Sequence, residues 1–272
     1  MTNPGGPIGM FDSGIGGGTV LRHVHRLLPN EDILYLADQA HVPYGPRPRE
    51  EIRRLSQAAT EWLLAHGAKI IVVACNTASA AALRWLRREY PHVPFVGMVP
   101  AVKPAARHSK SGVVGLMATP ATMQGELLQE VVQEWAQGVQ LVQQICHGLV
   151  EHIERGELDS PATIALLQQY LTPMLEANAD HIVLGCTHYP YLEDVIQRIV
   201  GPNITLVDAG EAVARQVARV LDEQMLHHPD RTRQGTLTYA TTGDPHHLAA
   251  LLERLHLPRG NVQAATYIVP LA

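Results

Sequence analysis

The sequence predicts an α/β protein built as two pseudo-symmetric domains, each a mostly parallel central sheet with flanking helices, with the active site in the cleft between them. Three observations lead there. Short apolar runs alternate with helical patterns of about 10–15 residues along the whole chain, which is the signature of βα units and parallel sheets. The runs at 70–74 (IIVVA) and 181–184 (HIVL) are nearly continuous in apolar residues, as strands covered on both faces require. The chain also echoes itself: IGMFDSG near residue 8 is answered by VVGLMATPAT near 113, and IIVVACNTASA near 70 by HIVLGCTHYPY near 181.

Taken in order, residues 8–11 form a strand, followed by the turn DSGIGGGTV. A helix then runs through Leu21, Val24, Leu27 and Leu28, and Pro29 ends it. Residues 33–36 are the next strand, and ADQAHVPYGP, with Pro43 and Pro46, is a loop. Residues 50–64 read as a helix stopped by Gly67. The strand at 70–74 follows, then a helix at 78–88, strands at 95–98 and 113–117, and helices at 126–135 and 164–177. After the strand at 181–184 come a helix at 192–200, a strand at 205–207 and a long helix at 211–225. A strand at 237–239, a helix through 249–255 and a strand at 262–269 complete the chain.

Asp12 precedes Cys75 by 63 residues and Thr119 precedes Cys186 by 67, so each unit presents a cysteine at the C-terminal end of a strand. Ligands in such sheets bind at those strand ends, which places both cysteines in one cleft. The segment after Asp208 then returns to the first unit. The expected domains are 1–98 with 210–272, and 99–209.

At 272 residues the chain can bury a substantial core, and 46% hydrophobic with 17% charged residues is ordinary for a compact fold. A net charge of -5 offers no basic surface for nucleic acid and no polybasic anchor for lipid. No apolar run is long enough to cross a bilayer. The opening MTNPGGP reads as a short flexible tail rather than a signal peptide, and a cytoplasmic location follows as the default. Three scattered cysteines make no disulfide framework.

Cys75 lies in VACNTAS and Cys186 in LGCTHYP. Each follows a buried strand and precedes a helix, where free backbone N–H groups stabilise a thiolate or a bound carboxylate. A lone cysteine in that position is commonly a small buried apolar residue, but Asn76-Thr77 and Thr187-His188 immediately after the strands belong to a pocket. Cys146, in QQICHGLV, has no such setting and reads as structural. Asp12 and Ser13 stand at the end of the first strand before Gly14, Gly16, Gly17 and Gly18. This run lacks the lysine of a phosphate-binding loop and departs from the dinucleotide fingerprint. His188, two residues past Cys186, is placed to orient or protonate it. Most of the 15 histidines are bystanders, His227 and His228 reading as surface loop, and no closely spaced ligand set calls for a metal.

FDSGIGG (11–17), PYG (43–45), ACNTAS (74–79) and GCTHYP (185–190), in this order and spacing, resemble the glutamate racemase family, and the similarity extends over nearly the whole chain after the N-terminal tail. The resemblance implies a bacterial isomerase that supplies D-glutamate for peptidoglycan and needs no pyridoxal phosphate, metal or nucleotide. It implies that Cys75 deprotonates D-glutamate with help from Asp12, and that Cys186 deprotonates L-glutamate with help from His188 and Glu154. It also implies substrate contacts at Asp12, Ser13, Tyr44, Gly45, Asn76, Thr77, Thr119, Thr122, Thr187 and His188, and a homodimer. The sequence departs from the family's habit at Gly18, where a bulky apolar residue is common, and at Ala209, where a serine is usual. Gln124 and Leu127 stand where a serine and an aromatic residue are frequent.

Two cysteines suit this chemistry. An amino-acid α proton is weakly acidic, and removing it without an electron sink requires donors aimed at the developing enediolate-like oxygens. Inversion requires one proton to leave one face while another arrives on the opposite face, which two thiols on opposed walls can do. Racemisation of aspartate on the same scaffold, and a non-enzymatic carboxylate-binding protein of two hinged domains, are the alternatives. The second gives no reason for paired cysteines.

Overall fold

The computed structural model describes residues 3–269. The first two residues of the expected tail and the last three of the expected first domain lie outside the described residues. Among the described residues, ten strands and eleven α-helices follow one another as the alternating pattern requires. The first half holds β1 (Ile8–Asp12), α1 (Gly18–Leu27), β2 (Ile33–Ala37), α2 (Arg49–Ala65), β3 (Ile70–Val73), α3 (Asn76–Glu89) and β4 (Phe95–Val96). Next come α4 (Val102–His108), β5 (Val113–Ala118), α5 (Pro120–Met123), α6 (Glu126–Trp135), β6 (Gln140–Ile145), α7 (Leu149–Glu154) and α8 (Pro161–Glu176). The chain continues with β7 (His181–Gly185), α9 (Glu193–Val200), β8 (Thr205–Val207), α10 (Gly210–Glu223), β9 (Leu237–Thr241), α11 (Pro245–Arg254) and β10 (Asn261–Ala264).

The strands form two sheets in which every pairing is parallel: a six-stranded sheet ordered β10-β9-β2-β1-β3-β4 and a four-stranded sheet ordered β6-β5-β7-β8. The order β2-β1-β3-β4 repeats position by position as β6-β5-β7-β8, so the echo in the sequence is a repeat of topology. β1 and β5 are the equivalent central strands, with Asp12 closing the first and Thr119 directly after the second, while Cys75 and Cys186 lie just past the ends of β3 and β7. Every residue of β1, β2 and β3 is buried, because helices cover both faces of the sheet.

The differences from expectation have local causes. β6 has no apolar run, since QLVQQI is an edge strand whose side chains are largely exposed. The helices α4, α5 and α7 are at most seven residues long, too short to show a helical period. The last strand stops at Ala264 instead of continuing to 269. The tail is tethered from Pro4 onward: Lys69 Nζ donates to the Pro4 carbonyl at 2.7 Å and its backbone N to Pro7 O at 3.0 Å. Lys69 in turn forms a fully buried ion pair with Glu31. His227 belongs to that cluster rather than to a plain surface loop, bridging Glu31 at 3.1 Å and Asp222 at 2.7 Å.

Candidate active site

Cys75 sits where β3 meets α3, in extended conformation as the N-cap of the helix, and its sulfur accepts the Ala78 backbone N–H at 3.4 Å. Ser13 Oγ lies 4.0 Å from the same sulfur. Burial pushes the Cys75 thiol well above its ordinary pKa, and the nearby Asp12 carboxylate pushes it further. Asp12 accepts from the Gly14 N–H at 2.8 Å and the Thr187 hydroxyl at 3.0 Å. Its own pKa is raised to about 6, burial outweighing the attraction of His188 and those hydrogen bonds.

Cys186 follows β7 directly, but the chain turns through Thr187, His188 and a 3-10 turn at Tyr189–Leu192 before α9 begins, so no α-helix N-terminus caps it. Its partner is His188, whose Nδ1 lies 3.8 Å from the sulfur. His188 Nε2 contacts Glu154 Oε1 at 2.7 Å. Burial alone would lower the His188 pKa, yet its hydrogen bonds to Cys186 and Glu154 overcome that and raise it well above the ordinary value. Glu154 is held below the usual carboxylate range: burial opposes this, and the bonds from His188, Gln39 and the Ile15 N–H outweigh it.

The two sides are stitched together by reciprocal contacts. Thr187, one residue past Cys186, donates to Asp12 at the end of β1. Thr77, two residues past Cys75, bonds Thr119 just beyond β5 at 2.8 Å. Thr122 bonds Thr119 at 2.9 Å and lies 3.5 Å from Thr77, completing a cluster of three hydroxyls. Gly45 is in close contact with Thr119, while the Tyr44 hydroxyl donates to the buried Asp38. Asn76 is 3% exposed, and neither its Nδ2 nor its Oδ1 has a partner. An unpaired buried polar atom costs about 1–3 kcal/mol, so both amide atoms of Asn76 are available to a hydrogen-bonding partner.

The glycine-rich run serves the other half of the molecule. A Cβ at Gly14 would overlap Glu154 Oε1, and one at Gly16 would overlap the His188 ring. None of Gly14, Gly16, Gly17 and Gly18 has positive φ, so close approach rather than a tight turn requires them. Nor does Ser13 cap the following helix, whose N-cap is Gly17. Cys146 is buried with its sulfur 3.5 Å from Gln144 O, and burial pushes its thiol up. Among the described residues, no three His, Cys, Asp or Glu side chains are grouped to hold a metal ion, and no helix is long and apolar enough to cross a membrane.

Several residues at this site carried no sequence signal. Gln39 Nε2 donates to Glu154 Oε2 at 2.9 Å, and the Ile15 N–H reaches Glu154 Oε1 at 2.7 Å. Thr19 Oγ1 bonds the Thr187 carbonyl at 2.9 Å, and Tyr191 Oη bonds Ile15 O at 3.0 Å. Each meets its partner across more than a hundred residues of chain.

The family model for Asp/Glu/Hydantoin racemase matches residues 18–217. A glutamate racemase of Roseiflexus sp. is 56% identical over 263 residues, covering 97% of each chain. The chain belongs to the glutamate racemase family. The crystal structure of the Francisella tularensis glutamate racemase in complex with D-glutamate superposes with a TM-score of 0.84 at 26% identity, over 97% of this chain and 98% of that one. That of Escherichia coli glutamate racemase in complex with L-glutamate and the activator UDP-MurNAc-ala gives 0.83 at 30% identity, over 97% and 99%.

The departures from the habit of the glutamate racemase family have structural explanations at two positions. A Cβ at Gly18 would collide with Tyr191 Oη and Leu257, so the space that a bulky side chain would need is taken by those two residues. At Ala209 no side-chain oxygen is needed to bond the Gly210 N–H at the start of α10, since Asp208 Oδ1 accepts it at 2.6 Å. Gln124 is exposed and Leu127 half-buried; nothing in the structure explains their identity.

Proposed function

We propose that this chain interconverts L- and D-glutamate with Cys75 and Cys186 as its two bases, supplying D-glutamate for peptidoglycan. The observation that carries the reading is the repeat: equivalent strands of two pseudo-symmetric halves each end in a buried cysteine beside an acid–base partner. Asp12 serves Cys75, and His188 with Glu154 serves Cys186. A cytoplasmic setting, where free thiols stay reduced, suits this chemistry.

Burial keeps Cys75 as a thiol, and His188 Nδ1 lies 3.8 Å from the Cys186 sulfur. The two-base reaction needs one proton in total on the two sulfurs, and with that proton on Cys75 the pair is poised for L-glutamate. The Cys186 thiolate takes the α proton, and the electron pair of the broken C–H bond delocalises into the adjacent carboxylate. The Cys75 thiol then protonates the opposite face, giving D-glutamate and leaving Cys75 as thiolate and Cys186 as thiol. The reverse reaction runs the same steps backwards from that second state. Asn76, with both amide atoms unpaired, offers Nδ2 to a substrate carboxylate and Oδ1 to its ammonium group. Ser13 adds a hydroxyl donor, Thr77 and Thr187 line the site with their hydroxyls engaged by Thr119 and Asp12, and Thr119 with Thr122 closes the wall beside Gly45.

The test is hydrogen-to-deuterium exchange at the α carbon of L-glutamate in deuterated water, with chirality followed alongside. The expected result is exchange accompanied by D-glutamate, abolished by Cys75→Ser and by Cys186→Ser in proteins that remain folded. Full racemisation by either variant overturns the two-base assignment. Inversion of aspartate in preference to glutamate would reassign the substrate.

A further inference from the structure

Glu154 is gripped on both oxygens. Oε1 faces His188 Nε2 and the Ile15 N–H, both at 2.7 Å, and Oε2 faces Gln39 Nε2 at 2.9 Å. Gln39 comes from the opposite half, in the 3-10 turn Gln39–His41 after β2. Its carbonyl is engaged as well: Thr241 Oγ1 donates to Gln39 Oε1 at 2.9 Å, and the Gly243 N–H donates to Thr241 Oγ1 at 2.9 Å.

The directions of these bonds follow from one another. A backbone N–H only donates, so the Thr241 hydroxyl accepts from Gly243 and keeps its hydrogen free for Gln39 Oε1. The Gln39 oxygen therefore accepts, and its NH2 turns to Glu154. Glu154 thus meets an amide donor on each oxygen, an arrangement that fits a carboxylate. His188 Nε2 must then donate as well, and its Nδ1 faces the Cys186 sulfur.

We propose that Gln39, oriented by Thr241, is a positioning residue for the Cys186 side of the reaction, holding Glu154 as the anion that keeps the proton on His188. The role rests on the racemase reading for its kinetic consequence but not for its geometry. Other charged and titratable groups face this pair: Asp12 from β1, Tyr35 from β2, Tyr191 after β7, and His247 from α11. Each is engaged elsewhere. Asp12 holds Gly14 and Thr187, the two tyrosines bond the Gly14 and Ile15 carbonyls, and His247 bonds the main-chain oxygen of Glu154 at 2.9 Å rather than its carboxylate. From the first half, among the described residues, only the Ile15 amide and Gln39 reach the carboxylate, and only Gln39 does so through a side chain. Because Gln39 and Glu154 lie on opposite halves, the contact exists only when the halves are closed.

The experiment compares the full-length wild type with Gln39→Leu, Thr241→Val and Thr241→Ser. The His188 ring nitrogens are followed by 15N NMR against pH, assigned with His188→Asn, and kcat and KM for glutamate are measured over the same range. Gln39→Leu and Thr241→Val are expected to release the His188 proton at lower pH than wild type. They should lower kcat by about tenfold or more, move the basic limb of its pH profile to lower pH, and leave KM within about twofold. Thr241→Ser, which keeps the hydroxyl, should restore both. A His188 titration in Gln39→Leu and Thr241→Val that superimposes on that of wild type overturns the proposal. The NMR arm needs no substrate, so an inactive wild type would sink the racemase reading while this arm still decides the role of Gln39.

Discussion

Asp12 carries the clearest pH consequence at the scale of single residues. It is fully buried, and its pKa rises from an unfolded value of 3.8 to about 6, with burial the largest cause. Below the unfolded value the group is protonated in both states and favours neither. As pH climbs through about 6 the folded state must accept a buried charge, so the stability present in acid is lost, about 3 kcal/mol for a shift of this size. Asp12→Asn cannot titrate. Chemical denaturation should therefore show the variant gaining about 2 kcal/mol on the wild type between pH 4 and pH 7, while losing racemase activity. A difference that stays constant with pH would show that the carboxyl is already ionised at pH 4. The same raised pKa leaves Asp12 able to give and take a proton near neutrality, which its proposed role beside Cys75 requires. At this scale Cys75, Cys186 and His188 were legible because polar residues directly after an apolar strand are anomalous in a core. Gln39 and Thr241 were not, since an uncharged side chain announces nothing until its partner is placed, 115 residues away for Gln39 and 202 for Thr241.

Among the elements, β3 is anchored at its start by Lys69, which is fully buried and spends its charge on Glu31 and the Pro4 carbonyl. The Glu31 carboxyl is correspondingly low; burial opposes this, and Lys69, the His228 N–H and His227 prevail. Removing one partner of a buried pair strands the other, typically at about 3–5 kcal/mol. Lys69→Met should lower stability by that amount, whereas Lys69→Met with Glu31→Leu should recover much of it, because an apolar pair of similar volume needs no compensating charge. A double variant as unstable as the single one would place the loss in packing instead. Element by element, the buried strands were readable from composition because burial on both faces removes every polar residue. The edge strand β6 was not, since its exposed glutamines carry neither a run nor a clean alternation.

For the whole molecule, the question is how substrate reaches sulfurs that are 3% and 6% exposed. The closed halves must part. Besides the contacts at the site, an ion-pair cluster spans them at the surface: Arg84 on α3 and Arg49 on α2 pair with Glu126, and Arg84 also with Glu130, both acids on α6. Exposed pairs are worth about 0–1 kcal/mol and are screened by salt. Arg84→Ala should accordingly speed alkylation of Cys75 and Cys186 at low ionic strength by about fivefold or less. The rates of variant and wild type should converge near 1 M salt. Equal rates at low salt would mean that the cluster does not hold the closed state. The division into 1–98 with 210–272 and 99–209 is part of the same proposal, supported by the packing of α10 against α1.

What the sequence by itself determined were the alternation of strands and helices, the two parallel sheets, the internal repeat and the two cysteines at equivalent strand ends. All of these follow from local periodicity and from the absence of polar residues in strands covered on both faces. Only the tertiary structure decided which side chains meet across the two halves: Asp12 against Thr187, Thr77 against Thr119, and Gln39 with the Ile15 amide on Glu154. It also showed that the glycines at 14 and 16 make room for Glu154 and His188. The physical reason is range. Periodicity is written within a few residues, whereas a hydrogen bond between facing halves depends on the packing of two sheets, which no short stretch of chain contains.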